Sequence, residues 1–301
     1  MNKNTYLDSI ANRPEHPGFI RNALAWVGSV TPKVIFGTFT SIAYCSVVVY
    51  FLNIDPAVSF DIGPFEYSGV VLGLLLVFRI NAGYDRWWEA RKLWGSIVNQ
   101  SRNLAIVGLT YSSAPAEWRN KFAAWVALLP HIMRQSLRAE TDVSVIQRLV
   151  KLESKDIEKV SHRPSWGAVN IAKLLDQART NNWLDSFSFH RAERERSILI
   201  DNIGASERIL KTPIPFVMVI KLKRFLLIFL ALLPFALFSK LGWWSVVVDA
   251  LITYPLLSLD RIGYELQNPF ERDRLSHLPL SEICADIEKN VLEIEFHSRK
   301  P

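Results

Sequence analysis

Cysteine is scarce in this chain: two residues, Cys45 and Cys284, among 301. Two distant thiols cannot staple a chain of this length, so a disulfide scaffold is excluded and a reducing compartment fits the soluble parts. Catalytic signatures are missing too. There is no HExxH, P-loop, GxSxG or CxxC, which removes the common metalloprotease, nucleotide, hydrolase and thiol-redox sites. His131, His162, His190, His277 and His297 are scattered, and each is expected at the surface or in a helix cap rather than on a metal. Asp185 and His190 are expected on one helix at a spacing of five, a poor geometry for a shared site. The acids Glu282, Asp286, Glu293 and Glu295 read as a solvated helix face. No enzyme, cofactor or metal is expected. No dense basic run or Gly/Ser-rich tail appears, so neither is a nucleic-acid partner. The N-terminus, MNKNTYLDSIANRPEHPGF, lacks the apolar core of a secretory signal. No alternation of period two persists, and no internal repeat stands out.

What the chain has in quantity is apolar and aromatic surface. Half of it is apolar, with 10 Trp, 17 Phe and 8 Tyr, against 21% charged residues and a net charge of +6. Such a composition is not disordered. It is also too charged to lie in lipid throughout, which leaves a protein part in membrane and part in water.

Four stretches concentrate the apolar residues. Val34 to Ile54 carries no charge and reaches the roughly 20 helical residues a bilayer core needs. Phe65 to Phe78 is shorter, ends at Arg79, and runs into the amphipathic sequence NAGYDRWWEARKLWGSIVNQSRNLAIV. Trp87 and Trp88 mark the exit from the headgroups, with Glu89, Arg91 and Lys92 on the wet face. Phe225 to Phe238 follows Lys221, Lys223 and Arg224, whose stems can snorkel to the headgroups. Trp243 to Leu259 opens on an interfacial Trp pair. The link from Asn53 to Glu66 holds Asp55, Asp61 and Glu66 but no Lys or Arg, while the opposite flanks carry Arg21, Lys33, Arg79, Arg86, Arg91 and Lys92. The positive-inside rule therefore predicts two membrane hairpins with both termini in the cytoplasm.

Between residues 85 and 212 the pattern is that of a soluble helical region. Trp118, Phe122, Trp125, Val126 and Leu129 recur at spacings of three and four, and Pro130 is expected to kink or break that helix. Ser144 to Val150 and Ala168 to Leu175 are further helical pieces. Ile283, Ile287, Val291 and Ile294 share one face of a last helix, with Ser281 as its expected cap.

Four segments, taken in order, carry a family resemblance: LAWVGSVTPKV (24–34), GVVLGLLLVFRINAGYDRWWEARKLWG (69–95), ERILKTPIPF (207–216) and ELQNPFERDRLSHLPL (265–280). Together they resemble the bestrophin family, specifically its bacterial branch. The resemblance implies an all-α membrane protein with four transmembrane helices per subunit, a helical cytoplasmic region, and a pore on the five-fold axis of a homopentamer. The implied organisation is a cytoplasmic N-terminal segment (1–33), a first transmembrane hairpin with the pore-lining second helix (34–84), a cytoplasmic helical region (85–212), a second hairpin (213–262) and a cytoplasmic C-terminal segment (263–301). The location implied is the cell inner (plasma) membrane. The partners implied are four identical subunits, the lipid bilayer and monovalent ions.

Carried over by the resemblance, the pore neck maps to Val70, Leu74 and Phe78. Their spacing of four keeps them on one stripe, and stacked apolar rings would gate by dewetting. Glu66, one turn earlier, is the outer selectivity candidate, because rings of acids favour cations; facing away at the membrane surface is its alternative. A cytoplasmic aperture maps to Phe187, with His190 as runner-up and a route to pH sensitivity. The calcium clasp of animal members maps to Glu265, Asn268 and Asp273. It looks degenerate here, since Arg272 and Arg274 flank Asp273 and calcium disfavours neighbouring cations. No calcium gating is expected, and Asp273 is expected to serve packing. Asp249, in mid-span, must face protein or water; an ion-path role and a hydrogen-bonded role are both open. The function expected is a passive channel for small monovalent ions, chloride-type by family and cation-leaning through Glu66. A membrane-anchored scaffold without conduction is the second reading.

Overall fold

The structure is a computed structural model that describes residues 18–151 and 160–298. The N-terminal stretch read as lacking a secretory signal falls almost entirely in residues 1–17, outside the described residues. Every regular element among the described residues is helical. The α-helices are α1 (Phe19–Ala23), α2 (Thr31–Ile54), α3 (Gly63–Thr110), α4 (Ala116–Arg138), α5 (Ser144–Val150), α6 (Arg163–Thr180), α7 (Ser186–Lys211), α8 (Phe216–Leu241), α9 (Ser245–Glu265) and α10 (Leu280–His297). They fall into two compact units. The first takes the chain up to Trp87 with Pro213–Pro269 and Asp273–His277; the second takes Trp88–Thr212, Phe270–Arg272 and the chain from Leu278.

The first unit holds α2, α8, α9 and the N-terminal half of α3. Its core joins Leu72 and Leu76 of α3 to Leu222, Leu226, Phe229, Leu233 and Leu237 of α8, with Ile252 and Leu256 of α9 packed against them. The heptad-like spacing on α8 turns one stripe inward. The outward faces are apolar as well: Phe36, Phe39, Val47 and Phe51 of α2 and Leu227 and Ile228 of α8 are all exposed. A helix apolar all round belongs in lipid or against another chain, not in water. By length and composition, α2 and α3 are long and apolar enough to cross a membrane. The other two expected spans, α8 and α9, carry Lys221, Lys223 and Arg224, and the buried Asp249, respectively. The α8–α9 hairpin turns at Gly242, whose φ of +52° suits a residue without Cβ.

The second unit packs α4 against α5, α6 and α10. Trp118 stacks on Phe122 with ring centroids 4.9 Å apart, and Trp125 meets Trp166 edge-on at 5.0 Å. Gly108 of α3 makes room for Phe122: a Cβ there would lie 2.3 Å from the ring.

Several expectations change. Pro130 does not break α4, which runs unbroken to Arg138; burial on every side holds the helix together past the missing N–H, and the Pro130 carbonyl accepts from Cys284 Sγ at 3.3 Å. Ser281 lies within α10 rather than capping it, and its Oγ accepts from Arg138 Nη1 at 3.1 Å. Asp185 caps α7 instead of sharing it with His190: its Oδ1 accepts from the N–H groups of Phe187 (2.9 Å) and Ser188 (3.1 Å). His131 and His277 are buried, not superficial, and Glu295 is buried within the expected solvated face.

Candidate functional site: an apolar stripe on the second long helix

Helix α3 is one continuous run of 48 residues. The expected short span and the amphipathic sequence after it are a single helix, with no proline between them and with Asn81, Gly83 and Asp85 inside it rather than capping it. Leu72 and Leu76 are fully buried, whereas Val70, Leu74 and Phe78 remain 74%, 53% and 52% exposed. The two sets differ by two residues along the helix, roughly 200° of rotation, so they point to nearly opposite sides. Glu66, also exposed, begins the outward stripe in the first turn of α3. The positive end of the helix dipole favours a carboxylate there, and Glu66 makes no side-chain hydrogen bond or ion pair among the described residues.

One residue beyond Phe78 the helix is anchored. Arg79, 2% exposed, forms an ion pair with Asp260 of α9. Close backbone approach accompanies it. A Cβ on Gly83 would come within 3.3 Å of the Gly263 carbonyl, and one on Gly263 would lie 3.2 Å from Arg79 Cγ. Trp87 Nε1 then donates to the Ser276 carbonyl at 2.7 Å, in the same unit.

The two aperture candidates sit in the first turns of α7, in the second unit. Phe187 is 90% exposed, an unusual setting for a phenyl ring, and His190 is exposed beside Phe189, with ring centroids 5.6 Å apart.

The three clasp positions differ in setting. Glu265 is buried, and its Oε1 lies 2.8 Å from both Lys33 Nζ and Arg261 Nη2, while Oε2 accepts from the Leu275 N–H at 2.9 Å. Burial pushes its carboxyl upward, but Lys33 and the Leu275 amide outweigh that and hold it below the ordinary range. Asn268 is half-buried and Asp273 is exposed. No group of three or more His, Cys, Asp or Glu among the described residues is arranged to hold a metal ion.

A sequence model of the bacterial and fungal bestrophin proteins matches residues 9–293. This chain belongs to that bestrophin family. A voltage-dependent anion channel-forming protein from Nostoc is 38% identical over 232 residues, 74% of each chain. One of the same description from Mesorhizobium japonicum is 32% identical over 95% of this chain and 92% of its own. Among solved structures, a bacterial bestrophin homologue from Klebsiella pneumoniae superposes with a TM-score of 0.81 at 25% identity, covering 89% of this chain and all of that one. The partner expectation of four identical subunits is corrected to a total of five, this subunit included, because bestrophin homologue structures are pentameric.

Within this bestrophin, three polar clusters carry weight that spacing did not reveal. Arg79–Asp260 joins residues 181 positions apart. Asp249 is fully buried and accepts from Ser41 Oγ at 2.9 Å, with Thr253 Oγ1 3.2 Å from the same hydroxyl; of its two open readings, the hydrogen-bonded one describes this geometry. In the second unit, Glu288 takes a two-point contact from Arg148 (2.6 and 2.8 Å) and lies 2.9 Å from His131 Nε2. A mid-span acid was the one sequence signal for any of the three.

Proposed function

We propose that the chain is one subunit of a bestrophin-type ion channel in which five copies turn the stripe of Val70, Leu74 and Phe78 toward a common axis. The observation that carries this reading is the division of α3 into two flanks. Leu72 and Leu76 complete the subunit's own core, while the equally apolar Val70, Leu74 and Phe78 are left outside it. Three stacked apolar rings would form a neck that passes ions only when wetted.

In this reading the hairpins are residues 34–84 and 213–262, the segments 1–33, 85–212 and 263–301 are cytoplasmic, and the channel sits in the inner membrane with both termini inside. The basic flanks and the acidic Asn53–Glu66 link support that orientation. Phe187, with His190 as the alternative, forms a second constriction within the cytoplasmic part. Glu265 acts as a structural anchor and not as a calcium ligand, since its oxygens already face Lys33, Arg261 and the Leu275 amide.

Selectivity is set by two opposing features. The relatives named as anion channel-forming proteins point to chloride-type conduction. The unpaired Glu66 at the start of the stripe favours cations. We place this channel on the cation-leaning side of its relatives. The test is a reversal potential under asymmetric KCl for the purified protein in planar bilayers, compared with Glu66→Gln. A shift toward the chloride equilibrium potential in the variant supports the carboxylate ring; identical reversal potentials remove it. Absence of any current from correctly assembled protein favours the scaffold reading instead.

A further inference from the structure

A crevice of about 390 Å³ opens between α3, α8 and α9, wholly within the first unit, with Val70 of the stripe at its edge. Phe65 and Gly69 of α3, Phe229 and Leu233 of α8, and Ile252 and Leu256 of α9 wall it. Among the residues that line it, Glu66 alone is charged. Gly69 keeps the space open: a Cβ there would already sit 3.4 Å from the Phe229 ring. Phe65 and Phe229 lie with ring centroids 6.2 Å apart, so two aromatic rings border the crevice near the carboxylate.

The lining selects its occupant. An anionic amphiphile would bring its head against Glu66. A neutral amphiphile would fill the apolar walls but offer no charge to the Glu66 carboxylate at the rim. A hydrophobic cation satisfies both parts. A quaternary ammonium suits it better than a primary amine, because it is weakly hydrated and is recognised by aromatic rings. We propose that this crevice is a binding site for alkyl quaternary ammonium compounds, with the tail among Leu233, Ile252 and Leu256 and the head between Glu66 and the Phe65 ring. The site requires no conduction through the stripe, so it stands or falls separately from the channel reading.

The probe is octyltrimethylammonium, titrated calorimetrically into the full-length protein in maltoside micelles, with empty micelles subtracted. Lipid choline is thereby absent. The expected result is saturable binding at about one site per chain, weakened about ten-fold by Glu66→Gln and abolished by Gly69→Leu, which fills the crevice. Octyl sulfate should not saturate. Leu256→Trp fills the same space from α9 and serves if Gly69→Leu fails to assemble. Non-saturable uptake, equal binding of octyl sulfate, or affinity unchanged in the crevice-filling variant would overturn the site. Binding retained in protein that passes no current would refute only the pore, and normal currents without binding would refute only the crevice.

Discussion

Arg79 of α3 and Asp260 of α9 form a buried ion pair one residue beyond Phe78, the C-terminal end of the apolar stripe. With Gly83 and Gly263 drawn close around it, the pair fixes which flank of α3 faces α9, and hence which flank is left for Val70, Leu74 and Phe78. Removing one partner leaves the other charge buried and uncompensated. Asp260→Ala should therefore cost about 3–5 kcal/mol, read as a lower melting temperature in detergent. Asp260→Asn, which keeps an acceptor for the guanidinium, should cost distinctly less. Equal melts for wild type and Asp260→Ala would show that the pair does not hold the helix.

Gly108→Ala tests the packing of the second unit. Its Cβ would fall 2.3 Å from Phe122, a ring itself stacked on Trp118 and fully buried. Overpacking of this kind costs roughly 1–3 kcal/mol. Phe122→Leu in the same chain should restore part of the loss, and a thermal melt of each variant measures it.

Acid should weaken the second unit through His131 and Glu288. Burial, followed by nearby Arg134, lowers the His131 pKa from its ordinary 6.5. A depressed His pKa means that the neutral ring is the folded form, so its contribution is complete above about pH 6.5 and falls away below it. Arg148 holds Glu288 below its ordinary 4.5; that contribution is present above pH 4.5 and is lost as pH falls further. Melting temperature should thus decline below pH 6.5, and His131→Leu should flatten the upper part of the decline. An unchanged slope in that variant would assign the effect elsewhere.

Calcium should neither gate nor stabilise the protein. Glu265 spends its oxygens on Lys33, Arg261 and Leu275, and calcium needs six to eight oxygen ligands. Currents and melts in chelator should match those in millimolar calcium. Glu265→Ala should destabilise the first unit, while the exposed Asp273→Ala should do little. A calcium-dependent melt abolished by Asp273→Ala would restore the clasp.

How much of this was legible beforehand follows from the kind of signal each feature leaves. The helical class comes from local runs such as Val34 to Ile54 and from the 3.6-residue spacing of Trp118, Phe122 and Trp125. The stripe is different. Val70 and Leu72 are both aliphatic, and α3 is apolar all round in that stretch, so periodicity cannot say which flank is buried; only the neighbours Phe229 and Leu233 decide it. The positions of the stripe came from resemblance rather than pattern. Arg79–Asp260 and His131–Glu288 join residues 181 and 157 positions apart, and a single sequence holds no trace of such pairings. At Pro130 the burial of the surrounding side chains offsets the cost of a helical proline, and burial is a tertiary property that local spacing does not carry.

The central claim is that Val70, Leu74 and Phe78 wall an aqueous passage between copies. Its most direct test is Leu74→Cys in the purified channel, treated with a water-soluble, charged methanethiosulfonate during current recording, with Leu72→Cys as the buried comparison. Both native thiols are buried, so wild-type current should be insensitive. The account predicts that current through Leu74→Cys changes promptly and irreversibly while Leu72→Cys does not respond. Full current through Leu74→Cys that no reagent alters, or the reverse pattern, would contradict it.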